Sequence, residues 1–370
     1  MKDQLFNVET LSDLAAEYSA AISDFDGAAF HRQVVAGLQG RELMERLDWI
    51  ADCIEARLPT SFSNMALALE AAMPAELDPS LQDDDFGRFI HAVPGILAVR
   101  HGLEAHRDRA LDLIHAATKR FSMEFYIRPF LNRWPEETFA RLDRWARDEN
   151  YHVRRLVSEG TRPKLPWAKA ITTSPLDVLP LLDRLHADPT RYVTRSVANH
   201  LNDIAKINPE AVLERLASWQ KAEEQDAKEL QWMTRHALRT LVKQGHPGAL
   251  EMMGYRADAD IRVDRFDLGS DHVVIDQSLA FDVTLAGPVG TPVLVDYVLG
   301  FHRPSGTEGR KVFKLKQSVI GKDGTLALAK SHRLKGNATT FKLHPGPHKV
   351  ALQVNGRILA ERPFDLVPAD

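Results

Sequence analysis

Residues 151–160 read YHVRRLVSEG, residues 191–200 read RYVTRSVANH, and residues 231–240 read QWMTRHALRT. The three stretches are forty positions apart. Arg155, Arg195 and Arg235 share one slot. Val153, Val193 and Met233 share a second, and Val157, Val197 and Ala237 a third. Upstream, Leu142-Asp143-Arg144 returns as Leu182-Asp183-Arg184. Apolar residues four apart lie on one helical face. A period near forty in helical sequence is that of HEAT-like helix pairs stacked into a solenoid. The valines and their counterparts therefore form its inner core. The arginines, offset by two residues, point elsewhere.

Working outward, the helical texture runs from the start of the chain to about Tyr255, rich in Leu, Ala, Arg and Glu. From about Ile261 it alternates apolar with polar residues, and Gly-Pro, Pro-Ser-Gly, Lys-Asp-Gly, Pro-Gly-Pro and Asn-Gly separate the runs. About seven strands at even spacing predict an immunoglobulin-like β-sandwich. The expected architecture is α+β and multidomain, with an all-α HEAT-like solenoid over 1–258 and a sandwich over 259–370.

The composition, 44% apolar and 26% charged, is that of a globular chain. A single cysteine, Cys53, excludes a disulfide framework and a cysteine-rich metal cluster and suits a reducing cytoplasm. No signal core and no long apolar run stands in the sequence, so no membrane role is expected. Charge is unevenly placed. Residues 301–350 hold eleven Lys/Arg against Glu308 and Asp323, while the rest of the chain is acidic. A basic segment of this kind fits a polyanionic partner or a solvated lysine-rich surface.

The polar stripe of the repeat carries Arg155, Glu159 and Arg162 in its first copy. The second copy carries Arg195, Asn199, Asn202 and Asp203, and the third Arg235, Arg239 and Lys243. Stacked side by side, these stripes form a cationic face with two acids embedded in it. One Arg155–Glu159 pair alone is an ordinary i,i+4 contact. Three arginines in one slot favour phosphate, whose oxygens match the guanidinium fork. The histidines show no ligand spacing, so no metal site is expected. No phosphate loop or nucleophile elbow is present, which leaves carboxylates as the catalytic candidates. Glu124, among the aromatics of RFSMEFYIRPF, is one of them.

The stretches MEFYIRPFL, WARDENYHVRRLVSEGTRPKLPW, YVTRSVANHLNDIAKINP and WMTRHALRTLVKQGHPGAL resemble the AlkC branch of the bacterial alkylpurine DNA glycosylases, in the AlkC/AlkD superfamily. The likeness covers roughly residues 90–255, and the C-terminal sandwich fits it. It implies a cytoplasmic, nucleoid-associated bacterial repair enzyme that excises cationic N-methylated bases, 3-methyladenine and 3-methylcytosine, from duplex DNA. It further implies that no metal or organic cofactor is needed. Carried onto this chain, it makes Glu124, Glu159 and Asp203 the acidic active-site positions and Trp167 an aromatic contact to the lesion. Arg154, Arg155 and Arg195 match its DNA-facing positions, and the polar stripe itself adds Arg162, Arg235, Arg239 and Lys243 as expected DNA contacts.

The chemistry of these residue types agrees. Cleaving an N-glycosidic bond develops positive charge on the sugar, which a carboxylate stabilises while aligning a water. A base already cationic leaves without a strong acid, and an indole adds cation–π attraction. Asp203 and Glu159 are expected to flank the deoxyribose, with Glu124 completing the cluster. Lys311, Lys314 and Lys316 are expected to grip the duplex backbone on the face opposite the solenoid, with the protein acting as a monomer. The competing reading is a non-enzymatic HEAT-repeat scaffold for DNA or protein.

Overall fold

The structure, a computed structural model, describes residues 2–81, 86–303, 306–337 and 342–368. Its helices begin with α1 (Lys2–Leu5), α2 (Val8–Ala21), α3 (Gly27–Gly37), α4 (Leu43–Glu55), α5 (Phe62–Ala71), α6 (Val93–Leu97) and α7 (Arg107–Thr118). There follow α8 (Ile127–Arg133), α9 (Pro135–Trp145), α10 (Tyr151–Gly160), α11 (Leu179–Leu185), α12 (Arg191–Ala205), α13 (Pro209–Ala222) and α14 (Ala227–Ala237). Two compact units divide the chain, Met1–Ala237 and Leu238–Asp370.

In the first unit the repeat is physical. Helix α9 packs on α10, α11 on α12 and α12 on α13, while α10, α12 and α14 pack side by side. Val153, Val157, Val193, Val197, Met233 and Ala237, the repeated apolar slots, are all fully buried. Each buried valine is worth about 1.5–3 kcal/mol relative to an exposed one. The repeated Leu-Asp-Arg tripeptide ties neighbours together, since Arg184 Nε donates to Asp143 Oδ1 at 2.6 Å. Asp183 in turn accepts from Arg215 at 2.9 Å and from the Trp219 indole at 2.8 Å. Local signals start these helices. Asn150 and Asn208 cap α10 and α13 through their side chains, and Pro stands in the first turn of α9, α11 and α13.

The second unit begins earlier than the change of texture suggests. The helical stretch from residue 231 breaks at Leu238 (φ −88°, ψ 0°), and α15 (Arg239–Gln244) and α16 (Pro247–Met252) pack with the sandwich. Gly245 ends α15 at φ +76°, and a Cβ there would come within 2.8 Å of the Gly356 carbonyl oxygen. Gly356 and Asn355 both take positive φ at the turn between the last two strands. Two glycine backbones thus meet where no side chain fits. The consequence for the polar stripe is direct: Arg239 and Lys243 do not continue the helix that carries Arg235.

The strands are β1 (Arg262–Leu268), β2 (His272–Val274), β3 (Ser278–Ala286), β4 (Pro292–Phe301), β5 (Gly309–Val319), β6 (Thr325–Arg333), β7 (Gly346–Val354) and β8 (Arg357–Val367). One sheet has the order β1-β3-β6 and the other β2-β8-β7-β4-β5. Their inner faces share a core in which Phe266, Phe281 and Tyr297 meet edge to face. Strand β5 is an edge, and it carries the expected DNA-gripping lysines. Side chains alternate along a strand. Phe313 turns toward the core and Lys311 lies over its ring at 5.5 Å, while Lys314 and Lys316 are exposed. The three therefore do not form one patch. Lysines on an open edge also discourage unwanted strand pairing.

Candidate active site

Glu124 sits in the turn before α8, Glu159 near the end of α10 and Asp203 near the end of α12. Two arginines string the three acids together. Arg155 Nη1 donates to Glu124 Oε2 and Arg155 Nη2 lies 3.5 Å from Glu159 Oε2. Arg162 Nη1 donates to Glu159 Oε1 at 2.6 Å, and its Nε and Nη2 reach Asp203 Oδ2 at 3.0 and 2.8 Å. Lys206 closes the far end at 3.0 Å from Asp203 Oδ1, and Ser122 donates to Glu124 Oε2 at 2.7 Å. Acid, arginine, acid, arginine and acid thus alternate across the α10–α12 seam.

Burial makes this more than a surface pair. The side chains of Glu159 and Asp203 are each only 6% exposed. Burial alone would push the Glu159 carboxyl up. The Arg155 and Arg162 guanidiniums, with a hydrogen bond from Ser196, outweigh it and hold the group below the ordinary carboxylate value. Burial likewise works against the Arg155 charge, and Glu159 and Glu124 reverse that. Glu159 has both oxygens occupied. Glu124 differs: Oε1 has no partner among the described residues, so one of its oxygens is open to a ligand.

The arginines expected to face phosphate are thus mostly engaged with protein. Arg154 spends Nε and Nη2 on Asp188 and Nη1 on the carbonyls of Asp148 and Glu149, so it ties a loop down where a DNA contact was expected. Arg155 and Arg162 order carboxylates, and Arg155 also lies over the Tyr192 ring at 5.0 Å. Arg195 lies over the same ring at 5.9 Å. Arg235 is exposed and carries no ion pair among the described residues. In the second unit, Arg239, Lys243 and Lys311 come together with Arg310 and Lys349 in a groove of about 810 Å³, which Glu308 and Glu361 also line.

Trp167 is 74% exposed and held at φ +62°, in the left-handed region that a bulky side chain rarely adopts. Its loop is anchored from beneath. Arg128, only 1% exposed, donates to the carbonyls of Gly160, Arg162 and Lys169. Asn132 donates to Ala170 O and accepts from Thr172 N. At Gly160 a Cβ would meet Ile127 Cγ2 at 2.5 Å, so only glycine lets α10 and α8 close together under the loop. Trp167 is thus a bulky side chain kept exposed, on strained backbone, by a loop that its neighbours pin.

Sequence reasoning missed the supporting residues Ser122, Arg128, Ser196 and His200. The one available signal was in the repeat: the slot of Ser196 holds Leu156 in the first copy and His236 in the third. His200 is fully buried, and burial first of all lowers its pKa to about 4, against a smaller raising effect of the Ser158 carbonyl. The sign of the pH effect follows. Above the unfolded value of 6.5 the imidazole is neutral in both states and contributes nothing. Between 6.5 and about 4 the unfolded chain takes up a proton that the folded chain refuses. That costs roughly 3 kcal/mol by pH 4. His200→Asn keeps a donor for Ser158, and denaturant melts of the variant from pH 7 to 4 should show a correspondingly flatter loss of stability. A loss as steep as in wild type would rule His200 out as its source.

Among the described residues no cluster of His, Cys, Asp and Glu could hold a metal, and no helix is long and apolar enough to cross a membrane. The family model for DNA alkylation repair enzymes matches residues 117–241, which contain every member of the acid–arginine network. A second model, the C-terminal Ig-like domain of the uncharacterised protein YhaZ, matches residues 262–368. The alkylpurine DNA glycosylase AlkC of Pseudomonas fluorescens, solved bound to DNA containing an abasic site analogue, is 31% identical. The match covers 99% of both chains with a TM-score of 0.84. The chain belongs to the AlkC-type alkylpurine DNA glycosylases. A further relative, the uncharacterized protein YhaZ of Bacillus subtilis, is 29% identical over 363 residues, 96% of each chain. As an AlkC-type protein, this chain pairs a helical domain of that fold with an Ig-like β domain, and its family is one of DNA alkylation repair.

Proposed function

We propose that the protein hydrolyses the N-glycosidic bond of cationic N-methylated bases, 3-methyladenine and 3-methylcytosine, in duplex DNA and leaves an abasic site. It does so as a monomer without metal or organic cofactor, on a helical domain whose stacked pairs we read as HEAT-like. The observation that carries this is the alternating chain Glu124, Arg155, Glu159, Arg162, Asp203. A DNA scaffold gains nothing from three clustered carboxylates, which repel phosphate. A site for a cationic base and an oxocarbenium-like sugar needs negative charge there, with cations close enough to keep the acids ionised.

The roles divide by geometry. Glu124, with one open oxygen, and Asp203, whose Oδ2 accepts from Arg162 and whose Oδ1 accepts from the 39% exposed Lys206 that can turn into solvent, are the acids that meet the lesion and its sugar. Their charge favours a cationic base over a neutral one and stabilises the developing cation at C1′, where one of them deprotonates the attacking water. Glu159 lies beneath, both oxygens filled, and grounds the two arginines. That revises the expectation that Glu159 itself flanks the deoxyribose. Trp167 stacks on the lesion or its neighbour.

Incubating the protein with methylated duplex DNA and separating the released bases by chromatography tests this reading. Release of 3-methyladenine or 3-methylcytosine is expected; tight duplex binding with no released base would make the protein a scaffold. On the second unit, exposed Lys314 and Lys316 and the basic groove are assigned to the phosphate backbone. Replacing both lysines by glutamine should lower the salt dependence of duplex affinity by about 0.9 per lost contact. An unchanged slope would place that edge off the DNA.

A further inference from the structure

Behind the acids, in the seam between α10 and α12, lies a buried row of polar groups. Ser158 is fully buried and Ser196 is 3% exposed. Ser196 Oγ is 2.6 Å from Glu159 Oε2 and 2.9 Å from Ser158 Oγ. A hydroxyl has one proton to give. The carboxylate is the stronger acceptor, so the Ser196 proton goes to Glu159, and Ser158 donates its own to Ser196. One turn further, His200 Nδ1 donates to the Ser158 carbonyl at 2.9 Å. Its Nε2 is buried with no partner, so the ring does nothing else that would hold it in place.

We infer that Ser196 is a positioning residue for the Glu159 carboxylate, with Ser158 and His200 fixing Ser196 in turn. This rests on the glycosylase reading above. Without the hydroxyl, Glu159 Oε2 keeps only Arg155 Nη2 at 3.5 Å, while Arg162 holds Oε1 at 2.6 Å. The carboxylate then swings toward Arg162. Arg155 loses its second anchor, and the Glu124 it carries loses its fixed distance from Asp203. The stacking of helices does not itself require a hydroxyl here, because the same slot of the first repeat is filled by Leu156. Ser196 is therefore tied to Glu159 and not to the repeat architecture.

The test uses the full chain with Ser196→Ala, Ser196→Thr and Ser196→Cys. Single-turnover release of 3-methyladenine should fall about tenfold in the alanine variant, the loss of one hydrogen bond to a charged group. Duplex affinity should be unchanged. The acid limb of the rate profile should move to higher pH, because the lost bond favours the ionised carboxylate. Threonine, which keeps the hydroxyl, should restore most of both. Cysteine, close in volume and a weak donor, should follow alanine and so separates the hydrogen bond from any cavity. An unshifted alanine profile, or a threonine variant no better than alanine, overturns the assignment. Carbon-detected NMR of the Glu159 carboxyl gives a readout that needs no catalysis. Its titration midpoint should rise in Ser196→Ala, and coincident curves would overturn the assignment even if wild type released no base. Absence of release with a shifted midpoint would instead count against the glycosylase reading and leave the positioning intact.

Discussion

Asp203→Asn is expected to slow single-turnover release of 3-methyladenine by at least about a hundredfold, with little change in folding or in duplex affinity. The substitution keeps shape and removes charge. Asp203 Oδ2 accepts Arg162 Nε and Nη2, and an amide oxygen can accept the same two donors. The new amide nitrogen would face Lys206, whose side chain is 39% exposed and can turn into solvent. The local cost to the fold is therefore small. The charge that would stabilise a sugar cation or accept a proton from water is lost outright. A rate within about threefold of wild type, together with an inactive Glu124→Gln variant, would move the chemistry to Glu124 and leave Asp203 as an ion-pair partner only.

Much of this frame was readable from the repeat. The buried slots followed from Val153, Val193 and Met233 standing forty apart, and the acids drew attention because Glu159 and Asp203 interrupt the pattern. Partnership was not readable. Arg154 and Arg155 are neighbours in sequence, yet about 100° of helical rotation sends one to Asp188 and the other to Glu124. A one-dimensional pattern can say that a side chain leaves the core face. It cannot say whether a carboxylate from the next helix awaits it. The break at Leu238 was hidden for a related reason. QWMTRHALRTLVKQ reads as one continuous helix former, and the interruption goes with a packing constraint more than a hundred residues away, where Gly245 abuts Gly356. Lys311, Lys314 and Lys316 looked like one patch by charge count, and strand alternation divides them.

Glu159→Ala should be the most damaging change to the fold of the helical unit, at about 3–5 kcal/mol. The magnitude comes from what is left behind more than from what is removed. Arg155 and Arg162, whose side chains are 13% and 15% exposed, would share two acids where they had three. Ser196 would lose its acceptor in a fully enclosed seam. All six tryptophans lie between Trp49 and Trp232, so denaturant unfolding followed by their fluorescence reports the first unit alone. Glu159→Gln, which keeps the volume and an acceptor for Ser196, should cost less than alanine. Acidity gives an independent check. Because the folded carboxyl titrates below its unfolded value of 4.5, its contribution is complete above that pH and fades as the pH falls through the folded value. The gap between wild type and alanine should therefore be constant from neutrality to about pH 5 and narrow only in stronger acid. A loss below about 1 kcal/mol would mean that solvent screens these pairs as it does surface ones. A loss of the expected size, beside a stable but slow Asp203→Asn, would give the two acids separate roles, with Glu159 holding the arginines in place and Asp203 acting on the sugar.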